Sequence, residues 1–386
     1  MDEAVRKAMA EAGTPKSSVE IAQCSGVKPT NIAASLDSLF SDLERGEVKH
    51  RRCGGGNVLQ VVTSEERLRQ SEDLIDALCS VRPSRFFRVL IAPNQREIGI
   101  KLSARCHALS GGEQSCSEIV ELSLAASRFS LVPNIIRANL IGAAPTALLL
   151  TDPEISREWL VLVAAMSEEV LYDSTILEGR TDLLVELART PTNLIDLQWI
   201  RMGPWREQIR RLADRPEVLE SLPHLVEIEI RTTSSQSPMK YGSAALVLAG
   251  WIVERLGLQA RAIQGDRVVC TPKSRPAISI ARPLSEVSLR FSAGVMRDPP
   301  IVAGVSLRTE SGVELVVERR AEGGHAVLES MIQHRSAGRS QTAFRVTRAI
   351  EVDDSAVVLE RYYGIGESTT NYAVALKAAL GMLGRG

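Results

Sequence analysis

The sequence predicts a mixed α/β protein: an N-terminal α/β domain with a mixed sheet, then an α+β domain with an antiparallel sheet. Three observations carry this. A strand, a helix and a second strand follow one another at Val58–Thr63, Ser64–Cys79 and Phe86–Ile91, the order of a βαβ unit. Beyond Arg267 short β-rich runs recur between turn residues, the texture of an antiparallel layer. Between these regions, Ala244–Leu256 is apolar nearly all round and belongs inside.

In chain order, residues 1–26 read as a short helical leader, with Ser17-Ser18-Val19-Glu20 opening a helix. Ile32, Leu36, Leu39 and Leu43 form the buried stripe of the next one. With the basic Lys49-His50-Arg51-Arg52 behind it, residues 17–52 imitate a winged helix-turn-helix. In the first domain, residues 27–178, Ser64 caps the βαβ helix. A strand from Ile98 to Cys106 is expected to pair with Phe86–Ile91 through a Pro93-Asn94 turn, and Glu118–Leu124 adds another. Val132–Ile141 reads as helix and Pro145–Leu150 as buried strand. Glu158–Ser167 is expected to be a helix with Trp159, Leu162 and Val163 inward, followed by the strand Glu169–Asp173.

In the second domain, residues 179–386, a helix covers Asp182–Arg189 and a half-exposed strand His224–Ile230. Ser243 caps the apolar helix and Gly257 stops it. The expected strands are Val268–Cys270, Ala277–Ala281, Val287–Phe291, Val302–Arg308, Val313–Glu318 and Phe344–Ile350. Residues 325–333 fit no element. Ser368 caps a last helix carrying Tyr372, Leu376 and Leu380 on one stripe.

The densest chemistry lies in Asp196–Arg206, which holds two of the four tryptophans. Its first half alternates as a short strand would. Gly203 and Pro204 break it, and Pro204 at a first helical position opens a helix with Trp205, Ile209 and Leu212 inward and Glu207 facing Arg211. Asp196, Trp199, Arg201, Trp205 and Arg206 are therefore the candidate partner-binding residues, since Trp and Arg are enriched among interface hot spots. The alternative is that both tryptophans are core. Asp173 and Ser174, at a strand end, and Arg85 make a candidate anion site. Asp152 ends another strand; a solvated turn is the competing reading for these ends.

The chain has 386 residues, 44% hydrophobic and 24% charged, with a net charge of −1, so nothing global draws it to nucleic acid or anionic lipid. It starts without a signal-peptide core, and its longest apolar run is too short to span a bilayer; a cytoplasmic protein is expected. Six cysteines without a CxxC pair read as idle thiols. Five histidines stand apart, and GxSxG, Walker and strand-borne GxGxxG motifs are absent. Neither catalysis, a metal nor a cofactor is expected.

The ordered motifs resemble the glucose-6-phosphate dehydrogenase assembly proteins of the OpcA family, from about Val27 onward. The resemblance rests on NVLQVVTSEERLRQSEDLIDALCSVRPSRFFRVLI, EEVLYDSTIL, SAALVLAGWIVERLG, the closing ESTTNYAVALKAAL and, most specifically, LIDLQWIRMGPWREQIRRL. In the last, Asp196, Trp199, Arg201, Pro204, Trp205 and Arg206 match the family pattern. Arg82 stands where many relatives carry histidine, and Gly142-Ala143-Ala144-Pro145 replaces an Asp-x-Pro with paired tryptophans. Thiol control, linked to photosynthetic members, is not carried over, because no cysteine follows Cys270. The resemblance implies a non-catalytic protein that binds glucose-6-phosphate dehydrogenase, favours its active oligomer and so tunes the oxidative pentose phosphate pathway. Self-association is compatible with that role. Two other readings compete: a transcription regulator using residues 17–52 on DNA, and a sugar-phosphate enzyme with Asp173, Ser174, Arg201 and Arg206 around its ligand.

Overall fold

The computed structural model describes residues 19–44, 50–52, 54–93, 95–109, 113–177, 179–234, 242–273, 286–296, 302–322, 325–336, 339–350, 355–365 and 370–384. The expected strand at Ala277–Ala281, the polar loop after Ser234, Asn94, Lys49, Cys53 and the Ser368 cap lie outside these residues. The chain forms two compact units: Met1–Tyr172 with Thr190–Asn193 and Asp354–Glu367, and Asp173–Arg189 with Leu194–Asp353 and Ser368–Gly386.

The first unit is built on β1 (Val19–Ser25), α1 (Ile32–Glu44), β2 (His50–Arg52), β3 (Asn57–Val62), α2 (Glu65–Gln70), α3 (Glu72–Val81), β4 (Arg85–Ile91), β5 (Gly99–Ala108), β6 (Gln114–Leu124), α4 (Val132–Arg137), β7 (Thr146–Leu150), α5 (Arg157–Ala164) and β8 (Glu169–Tyr172). Strands run in the order β1-β5-β6-β4-β3-β7-β8, then β9 (Asn193–Asp196), where the chain leaves the unit; β2 pairs with β6. The βαβ expectation holds: β3 and β4 are parallel neighbours, and β3, β7 and nearly all of β4 are buried, as central parallel strands must be. Ser64 caps α2 by accepting from the Arg67 amide at 3.2 Å. The single helix expected to Cys79 is split at Ser71, whose hydroxyl is held between the Leu68 carbonyl and the Gln60 amide.

Several expectations are corrected. Val19–Ser25 is a strand, not a helix, because it finds an antiparallel partner in β5; no helix-turn-helix forms there, although α1 buries Ile32, Leu36 and Leu39 as expected. The would-be wing is engaged: Arg51 pairs with Glu113, and Arg52 with Asp37 and Glu118. β5 does not pair with β4, since β6 lies between them, antiparallel to β5 and parallel to β4. That register sets Cys106 opposite Cys116, and the two form a disulfide, where idle thiols were expected. On α5 the buried residues are Leu160, Val163 and Ala164, while Leu162 faces out.

The second unit contains α6 (Thr181–Arg189), α7 (Leu197–Arg201), α8 (Gly203–Ala213), α9 (Pro216–Leu219), β10 (Leu225–Ser234), α10 (Gly242–Arg255), β11 (Leu258–Ala260), β12 (Arg267–Pro272), β13 (Val287–Met296), β14 (Val302–Thr309), β15 (Val313–Glu322), β16 (His325–Ser336) and β17 (Arg339–Ala349). The helix α11 (Ser355–Ile365) returns to the first unit and packs on α3, and α12 (Thr370–Met382) closes the chain in the second. The sheet order is β11-β12-β13-β10-β14-β15-β16-β17. It is antiparallel, as expected, except that β10 and β13 run parallel. The unassigned 325–333 stretch is β16.

Alternation fixes the two faces of this sheet. Ile228 and Ile230 are buried, whereas Glu227, Glu229 and Arg231 on the other face pair with Arg308, Arg290 and Glu318. Helix α8 packs on β15 and β16, and α10 on α12, β10 and β11. Gly250 lets α10 and α12 touch: a Cβ there would stand 2.2 Å from the Ala375 carbonyl oxygen.

Candidate functional site

The Asp196–Arg206 segment folds as strand end, helix and second helix. The alternation across Leu197–Ile200 does not make a strand. Asp196 ends β9, and its carboxylate accepts from the Gln198 amide at 3.0 Å, which starts α7 at Leu197. The same oxygen accepts from the Ser174 amide at 3.0 Å, and the Ser174 hydroxyl bonds that of Ser243, at the start of α10, at 2.9 Å. One carboxylate thus ties three segments of the second unit together.

Asp173 stands beside this network. It accepts from the amide and hydroxyl of Thr175, at 3.0 and 2.6 Å, and its other oxygen is bonded by Arg201. Burial, and then the charge of Asp173, push the Asp196 carboxyl up to about 6. The second oxygen of Asp196 and the Trp199 indole N–H are buried without a hydrogen-bond partner among the described residues.

Both tryptophans are core. Trp199 is 4% exposed and Trp205 3%. Trp199 packs on Tyr372 of α12, centroids 5.5 Å apart, and the Arg206 guanidinium lies over the Trp199 ring at 3.5 Å from its centroid. Arg206 also donates to the Trp199 carbonyl. Trp205, Ile209 and Leu212 are buried on α8, and the Glu207–Arg211 pair forms at 2.6 Å. Chemically this corner is a brace: Arg201 pairs with Asp173 and Glu207 with Arg211, while Arg206 and Asp196 hold backbone groups of the corner and its neighbours.

Each residue of the candidate anion site has partners within its own unit. Asp173 and Ser174 are committed as described, and Arg85, in the first unit, bonds Glu118 and the Asn139 carbonyl. Asp152 ties the turn after β7 to the end of β3, accepting from the Thr63 amide and hydroxyl, each at 2.7 Å, and from the Glu154 amide of its own turn at 2.9 Å. Sequence reasoning read Ser243 as a helix cap and Tyr372 as part of a packing stripe without bringing either to this corner, and it missed the buried Arg88. Arg88 donates to Gln60 at 3.0 Å and pairs with Glu72 at 2.6 Å, linking strand to helix. Arg82 bonds Glu169 and lies against Tyr363 of α11. Among the described residues no cluster of three or more His, Cys, Asp or Glu could hold a metal, and no helix is long and apolar enough to cross a membrane.

Residues 192–362, a span that begins just before this corner, match the OpcA family model that describes the C-terminal domain of a glucose-6-phosphate dehydrogenase subunit. Over that span the chain resembles the OpcA family. A relative from Synechocystis sp., provisionally named OxPP cycle protein OpcA, is 23% identical over 194 residues. That match covers 48% of this chain and 40% of the relative's length. Solved structures with loose likeness include the provisionally named oxidoreductase yvaA of Bacillus subtilis, 9% identical with a TM-score of 0.40, covering 85% of this chain and 97% of that one. The WlbA dehydrogenase of Chromobacterium violaceum is 10% identical, also at 0.40, covering 86% and 94%. At such scores these likenesses carry no argument about the chemistry of this chain.

Proposed function

We propose that this chain is a non-catalytic assembly factor that binds glucose-6-phosphate dehydrogenase and favours its active oligomer. The observation that carries the proposal is the match of residues 192–362 to a family described as a subunit of that enzyme. A chain that binds the active form better than the inactive one shifts their equilibrium by that difference in affinity alone, with no chemistry of its own. The Asp196–Arg206 corner supports this reading, because its side chains brace the corner and its neighbours instead of converging on a reacting atom. In the proposal, Trp199 and Trp205 act from inside, holding α7 and α8 so that the outer residues of the corner present a fixed surface to the dehydrogenase. Arg201, Arg206 and Asp196 set that geometry. The site of action is the cytoplasm.

The test is to titrate this chain into its cognate dehydrogenase. Activity rises or the substrate KM falls to a plateau at a fixed molar ratio, while the chain alone turns over neither glucose 6-phosphate nor 6-phosphogluconate. A flat titration, or turnover by the chain alone, overturns the proposal.

A further inference from the structure

The two ends of the second unit's sheet are unlike. At one end β11 is only three residues long and is packed by α10 and α12. At the other, β17 runs for eleven residues, about 36 Å at the rise of a strand. Among the described residues, β17 has a strand partner on one side only, β16. Gln341, Thr342, Ala343, Arg345, Val346, Thr347, Arg348 and Ala349 are all exposed. An antiparallel edge turns alternate backbone N–H and C=O groups outward, and proteins usually blunt such an edge by shortness, proline or cover. Among the described residues β17 is neither short nor broken by proline; it has one register irregularity, between Thr342 and Phe344, and carries the β-favouring Thr342, Phe344, Val346 and Thr347.

Its charge has a single sign. Arg339, Arg345 and Arg348 are the charged residues between 339 and 349, with no Asp or Glu among them. Arg345 reaches Glu329 at 3.2 Å and Arg348 is bonded to Glu207, and both arginine side chains remain about half exposed. Each therefore has solvent-facing capacity for a second carboxylate. The two act on opposite faces of the strand: Arg348 meets α8, while Arg345 joins the charged face through Glu329. A second copy of this chain would bring three more arginines and no carboxylate to the same seam. An acidic strand would bring the missing sign to both faces.

We propose that β17 is a docking edge that takes up an extended, acidic segment of a partner protein as a ninth strand of the sheet. Backbone ladder bonds hold the segment, and Arg345 and Arg348 select its charge. The inference does not rest on the dehydrogenase reading, and its test does not use that enzyme.

The experiment uses the full chain and two labelled synthetic strands of roughly eleven alternating threonines and valines, a length that matches a long natural strand. One carries three glutamates and the other three lysines. Fluorescence anisotropy at low salt should show the acidic strand binding at least tenfold more tightly, with the preference shrinking as salt rises. Amide exchange should slow on binding within residues 339–349. Arg345→Gln with Arg348→Gln, which leaves the strand uncharged at both positions, should abolish the preference. Arg345→Glu with Arg348→Glu should reverse it in protein shown by circular dichroism to be folded. Equal binding of both strands, no binding of either, or protection elsewhere overturns the proposal. So does concentration-dependent self-association lost in a Val346→Pro variant, which would assign the edge to a second copy.

Discussion

Arg206 covers the Trp199 ring at 3.5 Å and donates to the carbonyl of that same residue, so one guanidinium clamps both the side chain and the backbone of α7. The clamp spans the break at Gly203-Pro204, where Pro204 has no amide hydrogen to join the two helices.

Removing that clamp should loosen the corner. Arg206→Ala loses a ring–cation contact and a hydrogen bond, together about 1–2 kcal/mol. Arg206→Lys keeps the charge without the planar fork and recovers only part of it. Urea denaturation of the two variants checks the order.

Asp196 predicts a pH dependence whose sign follows from its environment. Its carboxyl is raised from the ordinary 3.8 to about 6 by burial and by Asp173. Between those values the folded protein holds a proton that the unfolded chain has released, so this group's contribution to stability is full below pH 3.8 and is lost as pH rises through 6. Asp196→Asn keeps an oxygen for the Gln198 and Ser174 amides but does not titrate. Its melting temperature, relative to the wild type, should therefore rise between pH 4 and pH 7. A constant difference across that range contradicts the assignment.

The contrast between what the sequence reveals and what it hides is clearest around these residues. The parallel core was legible because Val58–Val62 and Phe86–Ile91 are mostly apolar runs, broken only by Gln60 and Arg88 and separated by a stretch that opens on a capped helix, all local signals. Helix α7 was not, because Leu197 and Trp199 sit at strand-like spacing in a stretch too short for period to decide; the N-cap chemistry of Asp196 was the usable clue. The Cys106–Cys116 disulfide follows from the register of the local β5–β6 hairpin, whereas the insertion of β6 between β4 and β5 arises from a β4–β6 pairing that no local pattern encodes. The same is true of the Tyr372 contact that closes the Trp199 site.

Gly250 should tolerate no side chain. Because a Cβ would meet the backbone of α12 rather than a movable side chain, Gly250→Ala should cost about 1–3 kcal/mol despite alanine's higher helix propensity. Thermal denaturation of the variant reads this directly, and a stabilised variant would mean that α10 and α12 lie farther apart.

Ala143 is the opposite case. It adopts a φ of 59°, in the left-handed region that a Cβ disfavours, in the turn ahead of β7. Ala143→Gly should relieve that strain and leave stability unchanged or higher by up to about 1 kcal/mol, in contrast to the usual loss on Ala→Gly replacement. Chemical denaturation distinguishes the two outcomes.

The central claim is that this chain works by changing how another enzyme's subunits associate. Sedimentation velocity of the cognate glucose-6-phosphate dehydrogenase, alone and with this chain at equal molarity, tests it most directly. The account predicts a faster species containing both proteins, together with depletion of the smaller dehydrogenase form. Two independent boundaries, unchanged from those of the separate proteins at concentrations where the dehydrogenase is active, would contradict it.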